Sequence, residues 1–262
     1  MVKKIFAKSY VALILCLMYA PIFVLIAFSF TESTLIGNWS GFSFKLYANL
    51  FKNKEIMEAL KNTILIALAS AVVSTILGTL GAIGIYYSKK RMRKAFEFIG
   101  QIPILNPEIV TALSLTILFV FLGIKFNFIT LMIGHVVLTI PFVVLSIMPK
   151  LKQMDPNIYE AALDLGAKPS TALRKIILPE IIPGVLSGFI LAVTLSLDDY
   201  IITAFTRNNS FQTISTYVYG VTAKKGALPP TLRALTTLIF IATLILLILF
   251  YTLFVHFLKH EA

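Results

Sequence analysis

Charge is scarce in this sequence. Only 13% of its 262 residues are Asp, Glu, Lys or Arg, where soluble domains run near a quarter, so the chain lacks the polar surface that water demands. It has one cysteine, Cys16, inside an apolar run, which excludes a disulfide framework. Three histidines and that cysteine form no metal-ligand cluster and no nucleophile–base spacing, so neither a metal site nor a catalytic site is expected. No G-x-x-x-x-G-K-[ST] run occurs anywhere, so the chain carries no phosphate-cradling loop of that kind. Acids are outnumbered 12 to 23 by Lys and Arg, giving a net charge of +11. In a chain this apolar, that excess points to loops facing anionic lipid rather than to nucleic acid.

Apolar residues make up 58% of the chain, with a mean hydropathy of +0.90. Windows of about 20 apolar residues, each able to cross a hydrocarbon core roughly 30 Å thick, recur from end to end. The first, Tyr10 to Phe30, exceeds the ~7–15 residues of a signal peptide and has no small-x-small cleavage site after it, so it is read as a retained membrane helix. Trp39, Phe42, Phe44 and Tyr47 in the loop that follows read as interfacial anchors. Asn62 to Tyr87 is the second crossing, with Ser74, Gly78 and Ala82 spaced for close helix packing. Ala95 to Gly123 is longer than one crossing needs and holds Pro103 and Pro107, which break it beside Glu108. Asn127 to Met148, Ile181 to Phe205 and Leu232 to Leu258 complete six crossings. His135, in the fourth, reads as a packing residue held by hydrogen bonds.

Six crossings place both termini on one side. That side collects 14 Lys and Arg, including Ser88–Lys94, against 9 on the other, so both termini are expected in the cytoplasm. The stretch Tyr159 to Pro183 falls on the same side. It is polar, carries both signs of charge and is bounded by helix signals: Asp155-Pro156 as a start, Gly166 as a stop, and Lys168-Pro169-Ser170 opening a second short helix before Pro179. Glu160 and Asp164, four residues apart, are out of place on a helix lying on lipid. A docking hairpin is the reading that remains.

Glu160-Ala161-Ala162, three residues, Gly166, nine residues, then Ile176-x-Leu178-Pro179 resembles the EAA loop of the permease subunits of ABC importers. The resemblance implies an all-α integral membrane protein, one permease domain over residues 1–262, with six helices of the type I importer architecture. It implies a bacterial inner-membrane location and a coupling helix at about residues 150–180, with Glu160, Ala161, Ala162 and Gly166 meeting an ATPase. ATP would be bound by that partner dimer, alongside a second homologous permease subunit and an extracytoplasmic binding protein. No cofactor of the chain's own is implied.

The fifth crossing presents Gly184, Gly188, Ala192 and Ser196 at four-residue spacing, a stripe suited to tight packing. Beside it lies Asp198-Asp199-Tyr200. Two carboxylates in a membrane segment are costly facing lipid. On one helix they would point about 100° apart, so one at most faces a pathway and the other makes a structural contact. Glu108 could line the same cavity. Acids without bases within the crossings suit a cationic cargo. The SLDDYIITAF stretch, the proline-broken third crossing and GALPPTLRA are similar to the polyamine (spermidine/putrescine) permeases, which implies that Asp198, Asp199, Glu108 and Tyr200 line a polyamine path. Permeases for thiamine or ferric iron share much of this pattern. A proton-coupled secondary transporter would call for inverted repeats with paired broken helices, and one strongly broken helix is evident.

Overall fold

A backbone without water must satisfy its own N–H and C=O groups, and long apolar runs do this as helices. In the computed structural model, which describes residues 2–33, 37–225 and 229–260, the regular elements are all helical. They are α1 (Val2–Ser29), α2 (Lys45–Lys52), α3 (Lys54–Tyr86), α4 (Lys90–Leu105), α5 (Glu108–Phe121), α6 (Phe128–Gln153), α7 (Ile158–Asp164), α8 (Pro169–Ala172), α9 (Leu178–Asp198), α10 (Ile201–Thr206), α11 (Ile214–Lys225) and α12 (Thr231–His260). Four stretches are long and apolar enough to cross a membrane: Lys8–Ser29, Lys54–Tyr86, Phe128–Gln153 and Pro169–Asp198. The pair α4 and α5 makes a fifth, bent by 99°. By length and composition the described residues thus give four or five of the six expected crossings. The last helix, α12, has 30 residues, but its described apolar stretch covers only Thr231–Ile245.

The chain forms two compact units, residues 1–57 with 218–262, and residues 58–217. In the first, Ser29 and Tyr47 share a hydroxyl hydrogen bond at 2.7 Å. Phe30 is ringed by Phe42, Phe44 and Tyr47 at centroid distances of 5.4, 5.7 and 5.3 Å, and Trp39 lies edge-on to Phe28. The proposed anchors therefore form a small aromatic cluster over the end of α1. Residues 226–228, the start of GALPPTLRA, lie outside the described residues.

In the second unit α6 is central. Asn127 opens it with a full capping box, its side chain accepting from the Ile129 and Thr130 N–H groups while the Thr130 hydroxyl accepts from the Asn127 N–H. Both small-residue stripes meet it. A Cβ on Gly78 of α3 would sit 2.6 Å from Val143 Cγ1, and one on Gly188 of α9 only 3.2 Å from Val143 Cα. Val143, fully buried, is thus clasped between two glycines. Ser74 reinforces the α3 contact with a 2.6 Å hydrogen bond to Thr139. Stripes that in sequence show only that some helix comes close turn out to share one partner.

Candidate functional site

Two chain breaks build the site. The first lies between α4 and α5. Proline disfavours the helical region for the residue before it, and Asn106, preceding Pro107, is accordingly extended at ψ 134°. Pro103 stays inside α4, so Pro107 alone sets the break. Glu108 is the first residue of the new helix.

The second break was not legible. The run Ile181 to Phe205 reads as one helix, yet α9 ends at Asp198 and Asp199 is extended, φ −62° and ψ 129°. The reason is local. The Asp199 carboxylate accepts from the N–H groups of Ile202 at 3.0 Å and Thr203 at 2.8 Å, and from the Thr203 hydroxyl at 2.6 Å. It caps α10, taking up donors that a helix start leaves orphaned. A further tie runs from the Ser215 hydroxyl to the Asp199 carbonyl at 2.7 Å. Once Asp199 leaves the helix, the two acids are no longer a 100° pair. Asp198 is exposed and Asp199 is buried.

His135 of α6 completes the break. Because the Thr203 hydroxyl donates to Asp199, its oxygen is free to accept from His135 Nε2–H at 2.9 Å. His135 Nδ1 then accepts from the Ser196 hydroxyl at 2.6 Å, and Ser196 meets Ser70 of α3 at 3.1 Å. His135 Nε2 is also 3.5 Å from Asp199 Oδ2. All five side chains are buried, so this relay ties α3, α6, α9 and α10 around one carboxylate. The packing reading of His135 fits these bonds; the involvement of Ser70 and Thr203 had no sequence signal, because lone hydroxyls in apolar runs are common.

Between the two breaks lies a cavity of about 550 Å³. Glu108, Asp198, Asp199 and Tyr200 all line it, with Asn106, Thr111, Thr194 and Phe142 among the remaining residues and no Lys or Arg. The Glu108 carboxyl is close enough to interact with both aspartates. Three acids lining one half-open cavity without a base can receive a cation.

The polar hairpin is two short helices and a turn. Its start differs from the sequence reading: Asp155 Oδ1 accepts from the Asn157 N–H at 2.9 Å in a local turn, and α7 begins only at Ile158. Its stop is Gly166, at φ +85°. The Gly166 N–H reaches the Leu163 carbonyl at 2.8 Å and the Ala167 N–H the Ala162 carbonyl at 3.0 Å, the paired bonds of a Schellman motif. A Cβ on Gly166 would meet no atom within 4 Å, so the turn needs glycine for its backbone angle and not for space. Glu160, Ala161 and Gly166 are exposed, whereas Ala162 is buried inside the hairpin and contributes packing. Leu165, not singled out from sequence, is 90% exposed at the tip.

The second hairpin helix does not stop before Pro179. A π-helical turn at Leu173–Ile177, closed by the Leu178 N–H on the Leu173 carbonyl, carries α8 straight into α9. Such a bulge absorbs the irregularity that proline introduces. The result is a 30-residue span, Pro169–Asp198, on the order of 45 Å long at 1.5 Å per residue. One continuous helical element has the hairpin at one end and Asp198 at the other.

A family model for binding-protein-dependent transport system inner membrane components matches residues 74–260. The spermidine/putrescine transport system permease protein PotC of Escherichia coli (strain K12) is 34% identical over 248 residues, 95% of this chain and 93% of that protein. The putrescine transport system permease protein PotI of the same strain is 34% identical over 229 residues, 85% of this chain and 81% of its own. Among solved structures, a bacterial ABC transporter involved in the import of the acidic polysaccharide alginate superposes with TM-score 0.73 over 96% of this chain and 95% of its own, at 16% identity. An amino acid ABC transporter superposes with TM-score 0.56 over 78% of this chain and 94% of its own, at 19% identity. Likenesses at that identity speak for the fold alone. The matched span takes in both chain breaks, the acid-lined cavity and the EAA hairpin, and this chain belongs to the inner-membrane permease family of ABC importers.

Proposed function

We propose that the chain forms half of the translocation pathway of an ATP-driven importer for polyamines, spermidine or putrescine. The observation that carries this reading is the cavity lined by Glu108, Asp198 and Asp199 without a basic residue, and the printed functions of the PotC and PotI relatives support it. Asp198, exposed to the cavity, takes an ammonium group of the cargo, and Glu108 offers a second carboxyl across it. Tyr200 walls the space. Asp199 does not contact cargo; it holds the break that aims Asp198.

Energy enters at the hairpin. Glu160, Ala161, Leu165 and Gly166 face a partner ATPase dimer, which binds the ATP that this chain has no loop to hold. Ala162 closes the hairpin beneath them. Movement of the hairpin is transmitted along Pro169–Asp198, because a continuous helix resists bending far more than a loop, and it reaches the α9–α10 break directly. A second permease chain supplies the other half of the path and an extracytoplasmic binding protein delivers the cargo. The hairpin and both termini lie in the cytoplasm, as the Lys and Arg distribution supports. The chain itself performs no catalysis.

The test is uptake of labelled spermidine by vesicles holding the complete complex. ATP-dependent uptake that falls in Asp198→Asn while ATPase subunits stay bound is the expected result. Uptake that needs a proton gradient and no ATP would refute the reading.

A further inference from the structure

We propose that the chain binds an anionic phospholipid in an apolar cavity between α3, α4 and α6, separate from the acid-lined one. This site does not depend on what the protein transports. The cavity measures about 320 Å³ and is walled by Leu77 and Ile85 of α3, Phe96 of α4, and Ile140, Val144 and Met148 of α6. Two glycines in its wall, Gly81 and Gly100, have no atom within 4 Å of where a Cβ would stand. The space above them is open along two helices.

The cavity has a direction. Along α3 and α6 its lining runs from Leu77 and Ile140 at one end to Ile85 and Lys152 at the other, where α4 adds Phe96 and Glu97. Ile140 and Lys152 are twelve residues apart on one helix, roughly 18 Å at 1.5 Å per residue, the reach of an acyl chain rather than of a compact ligand. A neighbouring hollow of about 380 Å³ shares Leu145, Met148 and Lys152 with it. Lys152 thus stands on the rim between two hollows, as a headgroup contact would above two chains.

The Lys152 end is basic. Lys152 is paired with Glu97 at 2.9 Å, but Glu97 is followed outward along α4 by Lys94, Arg93, Arg91 and Lys90 with no further acid. The Arg93 guanidinium lies over the Tyr86 ring, 5.7 Å from its centre, and Tyr86 follows the lining residue Ile85 in α3, so its charge is held beside the cavity though not in its lining. Basic residues around a pocket between membrane helices are suited to anionic headgroups, each contributing about 1 kcal/mol, or about fivefold in affinity. A polyamine would be repelled from this end and would leave its ammonium groups unpaired in the apolar interior. A free phosphate would use the charge and gain nothing from the cavity.

The assembled importer, purified in mild detergent, is incubated with equal parts dioleoylphosphatidylglycerol and dioleoylphosphatidylcholine, and retained lipid is counted by native mass spectrometry. The wild type keeps phosphatidylglycerol over phosphatidylcholine by more than about tenfold, as two or more basic contacts require. Arg93→Gln with Lys94→Gln brings that ratio to near one. Gly100→Leu fills the cavity and sheds bound lipid, whereas Gly84→Leu keeps it, since Gly84 is equally open but not part of the lining. Equal retention of the two lipids by the wild type overturns the proposal, as does unchanged retention in Gly100→Leu. Displacement of the lipid by excess inorganic phosphate also overturns it, since that reveals an anion site only. The Arg93 and Lys94 variant alters side chains outside the core, so its result stands even where Gly100→Leu fails to assemble.

Discussion

Asp198 and Asp199 are chemically identical neighbours, but one is exposed and the other buried and bonded, so the same substitution should have different consequences at each. Consider Asp199→Asn. Whichever way the amide is placed, its NH₂ faces donors that the carboxylate now accepts: the Thr203 N–H at 2.8 Å and hydroxyl at 2.6 Å, or the Ile202 N–H at 3.0 Å. If the Thr203 hydroxyl turns to accept from the amide, it changes its role in the bond with His135, and the relay to Ser196 and Ser70 shifts with it. Hydrogen bonds to a charged group contribute about 1.5–3 kcal/mol each. With one to two lost and one half-recovered, the cost is about 2–4 kcal/mol. At about 2–4 °C per kcal/mol for a chain of this size, the midpoint for loss of monodisperse protein on heating in detergent falls by roughly 5–15 °C. Asp198→Asn changes an exposed side chain at a helix end, and its midpoint stays within about 2 °C, as expected when no buried partner is lost. Uptake behaves the other way. Losing one charge-assisted contact to an ammonium raises the KM for spermidine about tenfold or more in Asp198→Asn, while Asp199→Asn reduces the amount of active protein more than its KM. His135→Phe should resemble Asp199→Asn in both assays, because it strips the same relay. Equal stability of the two Asn variants, with equal rises in KM, would refute the division of roles.

The clasp on Val143 gives a second test. Gly78→Ala is expected to destabilise by about 1–3 kcal/mol through overpacking, and Val143→Ala should recover part of that loss because it removes Cγ1, the atom 2.6 Å away, while Cβ at 2.9 Å stays. Gly188→Ala should be recovered less, since its added carbon meets Val143 Cα as well as Cγ1 at 3.2 Å and Val143→Ala removes only the latter; thermal midpoints of the three single and two double variants measure the coupling. At the hairpin, Gly166→Val must place a β-branched residue at φ +85°, a strain on the order of 1–3 kcal/mol. Membrane insertion should survive and ATP-driven uptake should not; normal uptake with the ATPase bound would remove the hairpin from the coupling route.

Membrane character, the crossings' approximate places, the proline break and the hairpin were all legible in the residues themselves. Each rests on a property that acts along the chain: apolar runs too long to stay in water, a proline that restricts the residue before it, and a glycine that stops a helix. The EAA spacing was legible for the same reason, since a short helical hairpin keeps its residues contiguous. The three acids and Tyr200 were also nameable in advance, because charge inside an apolar run stands out. Their allocation was not. Asp198 and Asp199 differ only in what lies near them in space: Thr203, His135 and Ser215, from 4 to 64 residues away. The break that parts them has no proline or glycine to mark it, because it is stabilised by a carboxylate cap and a buried relay that reaches two other helices, α3 and α6. Likewise Ala162 and Ala161 look alike in the motif, and only the folded hairpin buries one and leaves the other at the surface. A sequence fixes each residue's chemistry and its local conformational limits. Which of two identical groups is left exposed beside the cavity and which is bound into the frame depends on long-range packing, and that is set only when the helices come together.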